Sequence, residues 1–284
     1  MSQQDKADRF RMMHERDGVF VLPNAWDAAS ARILEEVGYP AVGTTSAGIA
    51  FSLGYPDGEQ VPPSEMVAVI GRIARTVRIP VTADIERGYG DSPEAVALMA
   101  EAVLDAGAIG VNIEDASDAG GGALIETAAM CEKIAAARAA GEGRGVHLVI
   151  NARTDGFYDR TRGSGDIFDD AVARTNAYLS AGADCAFVPA VTDRETIARL
   201  VTAIDGPLNV VVPGPGMPGL RALEAAGVRR VSLGGCLMRS MAGLLRFSAR
   251  QVLNEGSFEF ADVAIPHDEM DALFAREGDI SRTV

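Results

Sequence analysis

The chain has 284 residues, 48% of them hydrophobic and only 6% aromatic, with 40 acidic against 26 basic side chains for a formal charge of −14. That acidic balance argues against a nucleic-acid or anionic-membrane surface, and no apolar run approaches the roughly 18 residues that span a bilayer. Met1 to Arg11 is polar with no apolar stretch, and Cys131, Cys185 and Cys236 lie far apart without paired spacing. The expectations are therefore no signal peptide, no zinc site and a reducing, cytoplasmic compartment.

In chain order, strands are predicted near 18–22, 41–44, 80–84, 109–113, 146–151, 184–188, 208–212 and 230–233. Helices are predicted near 27–37, 64–77, 93–106, 123–140, 167–181, 193–204, 218–226 and 236–254, with starts marked by Ser64 and by Ser92 followed by Pro93. One unit repeats four times, a helix that ends at Gly38, Gly107, Gly182 or Gly227 and feeds at once into an apolar strand. Glycine just past a helix takes the left-handed conformation and turns the chain into the next strand. Eight such alternations predict an α/β fold, a (β/α)8 TIM barrel spanning 1–284 as one domain of about the usual barrel size. Residues 256–284, with a last helix near 267–276, form a C-terminal helical tail that could pack on a partner subunit.

Two apolar strands end in acid: Pro80-Val81-Thr82-Ala83-Asp84-Ile85-Glu86 and Ile109-Gly110-Val111-Asn112-Ile113-Glu114-Asp115. A carboxylate at the exit of a buried strand costs stability unless something pairs with it. In a barrel these two strands are neighbours, and functional loops follow the strands' C-terminal ends. Asp84, Glu86, Glu114 and Asp115 would then form a cluster of hard oxygen ligands, which selects Mg2+, with Mn2+ as the alternative, over zinc. Arg153, at the exit of the fifth strand, suits an anionic substrate that it binds bidentately, or else an ion pair with the acids. Thr45, Ser46, Ala47 and Gly48 offer small side chains and backbone N–H groups for a carboxylate. His14, His147 and His267 all fall away from these exits, so imidazole acid–base catalysis is not expected. The segments 115–122 and 160–165 have the composition of lids, whereas Pro213-Gly214-Pro215-Gly216 reads as a rigid loop.

Taken together, Thr45-Ser46-Ala47-Gly48, Leu53-Gly54-Tyr55-Pro56-Asp57, Ala83 to Gly90, Ile113-Glu114-Asp115 and Asn151-Ala152-Arg153-Thr154-Asp155 resemble the isocitrate lyase/phosphoenolpyruvate mutase superfamily, in family order over roughly residues 18 to 255. The resemblance implies a Mg2+-dependent barrel that makes or breaks C–C or P–C bonds beside a 2-oxo carboxylate. It also implies a homo-oligomer, dimer or tetramer, with the eighth helix swapped between paired subunits. By position it makes Asp84 the direct metal ligand and Glu86, Glu114 and Asp57 ligands through water. The backbone around Ser46 and Ala47, with Arg153, becomes the carboxylate clamp. Arg153, Glu114 and Asp57 carry the catalytic roles.

Three departures narrow the reaction. Lyases of the family carry Lys-Arg/Lys-Cys-Gly-His after the fourth strand, where this chain has Asp115 to Gly122 with no Cys, Lys or His. Mutases carry a Lys- and Asn-bearing loop there and a histidine after the sixth strand, where this chain has Val188-Pro189-Ala190. Glu86 replaces the usual Asp. The expected activity is a divergent Mg2+-dependent lyase that cleaves or decarboxylates a small 2-oxo or 2-hydroxy di- or tricarboxylate through an enolate. A phosphonopyruvate hydrolase or mutase and a non-catalytic 2-oxo-acid-binding protein are the alternatives.

Overall fold

Nine parallel strands lie in one sheet in a computed structural model that describes residues 1–117, 123–158 and 164–275. They are β1 (Phe20–Leu22), β2 (Asn24–Ala25), β3 (Val42–Thr44), β4 (Val81–Asp84), β5 (Gly110–Glu114), β6 (Val149–Arg153), β7 (Cys185–Phe187), β8 (Leu208–Val211) and β9 (Arg230–Ser232). The order β1-β9-β8-β7-β6-β5-β4-β3-β2 is that of a barrel whose first strand is divided in two. β1 pairs with β9 and β2 with β3. Pro23 sits at the division. It has no N–H to donate, but its carbonyl accepts from Gly43 N while the Leu22 carbonyl accepts from Leu233 N. The eight predicted strands are therefore all present, the first one split, and the fold is a (β/α)8 TIM barrel.

The helices among the described residues are α1 (Gln3–Glu15), α2 (Ala28–Glu36), α3 (Ser46–Leu53), α4 (Pro63–Thr76), α5 (Pro93–Asp105), α6 (Thr127–Gly143), α7 (Ser164–Ser180), α8 (Arg194–Ala203), α9 (Leu220–Ala225), α10 (Cys236–Glu255) and α11 (His267–Phe274). Ser92 caps α5 as expected, but α4 starts at Pro63 and is not capped by Ser64. The four repeat glycines, Gly38, Gly107, Gly182 and Gly227, all have φ between 89° and 112°. Two helices were not anticipated. One is α3, which begins immediately at the exit of β3. The other is α1, which carries a Ser2/Asp5 capping box and lies across the N-terminal end of the barrel. There Gln3 Nε2 donates to the carbonyls of Leu104 and Ala108, and His147 N donates to Gln4 Oε1.

Phe10, His14 and Phe20 stack edge to face where α1 meets β1. Burial, with Arg230 nearby, pushes the His14 imidazole down to about 3. The unfolded imidazole titrates near 6.5. Between those values the unfolded chain binds the extra proton, so stability falls as pH drops below about 6.5, by up to about 1.4 kcal/mol per pH unit. Urea unfolding at pH 7.5 and 4.5 is expected to show a loss about 3 kcal/mol larger in the wild type than in His14→Leu. Equal losses would remove His14 as the cause.

α10 follows the last strand, yet it exposes Met241, Leu244, Leu245, Phe247 and Leu253, each at least 50% accessible. α11 returns to the barrel, where Arg32 Nε donates to the Leu273 carbonyl. Among the described residues no helix is long and apolar enough to cross a membrane.

Candidate active site

The strands' C-terminal ends surround a cavity of about 390 Å3 lined by Ser46, Ala47, Asp57, Asp84, Arg153 and Arg239 among others. Asp84, the last residue of β4, stands in its wall. Its Oδ2 accepts from the backbone N (3.1 Å) and Oγ (2.8 Å) of Ser46, and its Oδ1 accepts from Asn112 Nδ2 at 2.8 Å. Asn112 is in turn oriented by Asn151 Nδ2, and Asp84 N donates to Thr44 Oγ1. A carboxylate offers about four lone-pair sites, so one remains for a further partner. Among the described residues no Lys, Arg or His forms an ion pair with Asp84.

Other acids crowd around it. Asp57 shares the cavity, and burial together with Asp84 raises its carboxyl. Glu86 is only 4% exposed and has a left-handed backbone with φ 52°. Burial, with Asp84 next, raises it to about 7. Its Oε2 accepts from Glu59 N at 2.6 Å and its Oε1 from the Tyr89 hydroxyl at 3.4 Å. Glu59 returns the contact: its carboxylate accepts from the N–H groups of Arg87 and Tyr89 and pairs with the Arg87 guanidinium. Lys133, buried on α6, donates to the carbonyls of Arg87 and Gly90 from the other side. The strained turn after β4 is thus clamped at both ends, which fixes where Glu86 points.

Arg153, at the end of β6, pairs with Glu114 Oε2 at 2.6 Å and with both oxygens of Asp155 at 2.5 and 2.8 Å. The ion-pair reading is realised, and the guanidinium also faces the cavity. Tyr158 and Phe187 flank it, their ring centroids 5.8 and 5.7 Å away. Burial, with Asp155, Asp84 and Glu86, raises the Glu114 carboxyl while Arg153 opposes the rise.

Asp115 does not belong to the cluster, which corrects the four-acid reading. It is fully buried on the helix side of β5, accepting from the Tyr178 hydroxyl, Asp155 N and Arg174. Adjacent strand residues face opposite sides, so Glu114 and Asp115 could not both enter the site. The loop Thr45 to Gly48 is the start of α3. Thr45 caps the helix by accepting from Gly48 N, and Ser46 spends its N–H on Asp84. Ala47 lines the cavity and Gly48 does not. A Cβ on Gly48 would lie 2.6 Å from Thr45 Cγ2, so the glycine is there for packing.

The predicted lids reach outside the described residues at 118–122 and 159–163. Sequence reading missed Asn112, Glu59, Tyr158, Phe187 and Arg239. Asn112 did leave a signal, a lone amide inside an apolar strand. Arg239 left none; it enters from the first turn of α10, where it donates to the Pro213 carbonyl at 2.6 Å.

The residues present fit a magnesium ion. Mg2+ keeps several waters and takes only one or two carboxylates directly. Asp84 has one free lone-pair site and no ion-pair partner, and three neighbouring acids, whose carboxyls are raised chiefly by burial and then by one another, stand around it. Among the described residues no three Asp, Glu, His or Cys side chains group closely enough to ligate one ion directly.

Fold and cavity together define a barrel enzyme whose site sits at the strands' C-terminal ends. The model of the family described as phosphoenolpyruvate phosphomutase matches residues 10–253, and the chain belongs to that family, within the isocitrate lyase/phosphoenolpyruvate mutase superfamily of carbon–carbon lyases and mutases. It is 34% identical to an uncharacterised Mycobacterium tuberculosis protein over 264 residues, 93% of this chain and 95% of that one. It is 30% identical over 264 residues to an oxaloacetate decarboxylase of Bradyrhizobium sp., covering 91% and 88% of the two chains. A Burkholderia cenocepacia structure described as a candidate lyase/mutase superposes with a TM-score of 0.90 at 37% identity, with 98% of each chain covered.

Proposed function

We propose that the protein is a Mg2+-dependent lyase that cleaves or decarboxylates a C–C bond of a small 2-oxo or 2-hydroxy di- or tricarboxylate through an enolate. The observation that carries the reading is Asp84, held rigidly by Ser46 and Asn112 and left without a cation of its own. Bound Mg2+ supplies Lewis-acid stabilisation of charge developing on a 2-oxo oxygen. Asp84 would hold it directly, and Glu86, Glu114 and Asp57 through water.

The chain's own groups do the rest. Arg153 presents its remaining N–H groups to the substrate carboxylate, with Glu114 and Asp155 fixing the guanidinium plane. Ala47, at the start of α3, adds the positive end of a helix. Arg239 supplies a second cation for a distal carboxylate. Full-length similarity to an oxaloacetate decarboxylase favours the C–C reading over phosphonate chemistry, which release of inorganic phosphate from phosphonopyruvate would reveal.

The same reading has α10 cover the barrel of a paired subunit through its exposed apolar face, which the mass in solution tests, and has the enzyme work in the cytoplasm. Oxalate, a mimic of the pyruvate enolate, gives the decisive binding experiment. After dialysis against chelator, calorimetric titration is expected to show oxalate binding at least about tenfold tighter with Mg2+ than without. Binding that ignores Mg2+, or none under either condition, would sink the proposal. Mn2+ is expected to substitute.

A further inference from the structure

Below Asp84 the cavity continues into the barrel, and an arginine lines it there. Arg230, the first residue of β9, is 2% exposed. Its Nε donates weakly to Ser232 Oγ at 3.3 Å, its guanidinium lies 5.7 Å from the Phe10 ring centroid, and its Nη1 has no hydrogen-bond partner. Directly across the ladder, Asn209 is its register partner on β8. Asn209 is fully buried, and its Nδ2 has no partner either. Two buried donors, one of them charged, are thus unspent on neighbouring strands.

No directly paired carboxylate neutralises the charge. Among the described residues no carboxylate forms an ion pair with Arg230. Burial pushes the neighbouring Cys185 thiol up to about 12, so it stays neutral, and the Asp84 carboxylate attracts Arg230 through space without forming an ion pair with it. Burial lowers Arg230 itself to about 10, which leaves it charged at neutral pH. Barrel interiors are ordinarily packed with branched aliphatic side chains, and a buried lone cation is costly. Water could satisfy the orphaned N–H groups but would leave the charge uncompensated. An anion does both.

We propose that the floor of the barrel cavity is a second anion subsite, in which Arg230 Nη1 and Asn209 Nδ2 hold one small monovalent anionic group, a halide or a carboxylate. The subsite does not depend on the metal or on the lyase reading, because its donors belong to β8 and β9.

Crystals soaked in sodium bromide are expected to show an anomalous bromide peak within about 3.5 Å of Arg230 Nη1. In solution, exchanging gluconate for bromide at constant ionic strength is expected to raise Tm by about 2–4 °C in the wild type. Arg230→Met is expected to lose that response and to melt no lower than the wild type in gluconate. The source of the anion is read by competition: bromide weakens a four-carbon dicarboxylate but not oxalate if a substrate carboxylate normally fills the subsite, and weakens neither if a free halide does. Absence of the bromide peak together with a halide-insensitive wild-type Tm would overturn the proposal. The diffraction arm needs no variant.

Discussion

Asp84→Asn is expected to lower kcat/KM by at least about 10³-fold, about 4 kcal/mol of transition-state stabilisation, while the barrel stays folded. The substitution keeps the size of the side chain but removes its charge. It also turns one oxygen into an NH2 group, which then faces either the Ser46 donors or the Asn112 amide. With no formal charge left on this wall of the cavity, a divalent cation loses its direct ligand, so the Mg2+ dependence of oxalate binding should vanish too. Relief of repulsion with Asp57, Glu86 and Glu114 opposes the cost of that mispaired amide, so stability is expected to change little. Wild-type activity with retained metal dependence in this variant would refute the metal site. A collapse of Tm would instead show that Asp84 is chiefly structural.

Arg153→Ala is expected to carry two costs. Oxalate affinity should fall by about 10²-fold or more, the value of a bidentate charged contact in a partly dry cavity. The fold should also lose about 3–5 kcal/mol, because Glu114 and Asp155, whose side chains are only 12% and 11% exposed, would be left without their counter-charge. Arg153→Lys separates the two effects. A point charge recovers much of the stability, but it cannot bond Glu114, Asp155 and a substrate carboxylate in one plane. Oxalate binding in Arg153→Lys close to that of the wild type would assign Arg153 to structure alone.

The barrel was legible because its grammar is local. A glycine that must adopt positive φ after a helix, followed by a short apolar strand, repeats wherever the chain turns, and all four marked glycines do so. The first strand's division at Pro23 and the helix α1 were less legible. The first depends on which neighbour each half-strand meets, and the second is a polar segment whose purpose, closing the barrel end, exists only once the barrel does. Asp84 and Arg153 were legible as polar residues ending apolar strands, where burial makes them costly without partners. Asp115 read the same way and was misassigned, since two consecutive acids cannot be sorted by facing until the register is known. Glu59 and Lys133 could not be found from sequence. Each secures a turn contributed by another part of the chain, through contacts to backbone atoms that leave no residue pattern.

What the sequence by itself determined is the set of elements, their parallel alternation and the strand ends at which charge gathers, because helix caps, glycine turns and strand periodicity are short-range physics. What only the tertiary structure decided is which charges are paired. Arg153 is committed to Glu114 and Asp155, whereas Asp84 and Arg230 line one cavity and form no ion pair. Pairing is a matter of a few ångströms between strands far apart in sequence, and in a low-dielectric interior those few ångströms separate a structural ion pair from a site that awaits a ligand.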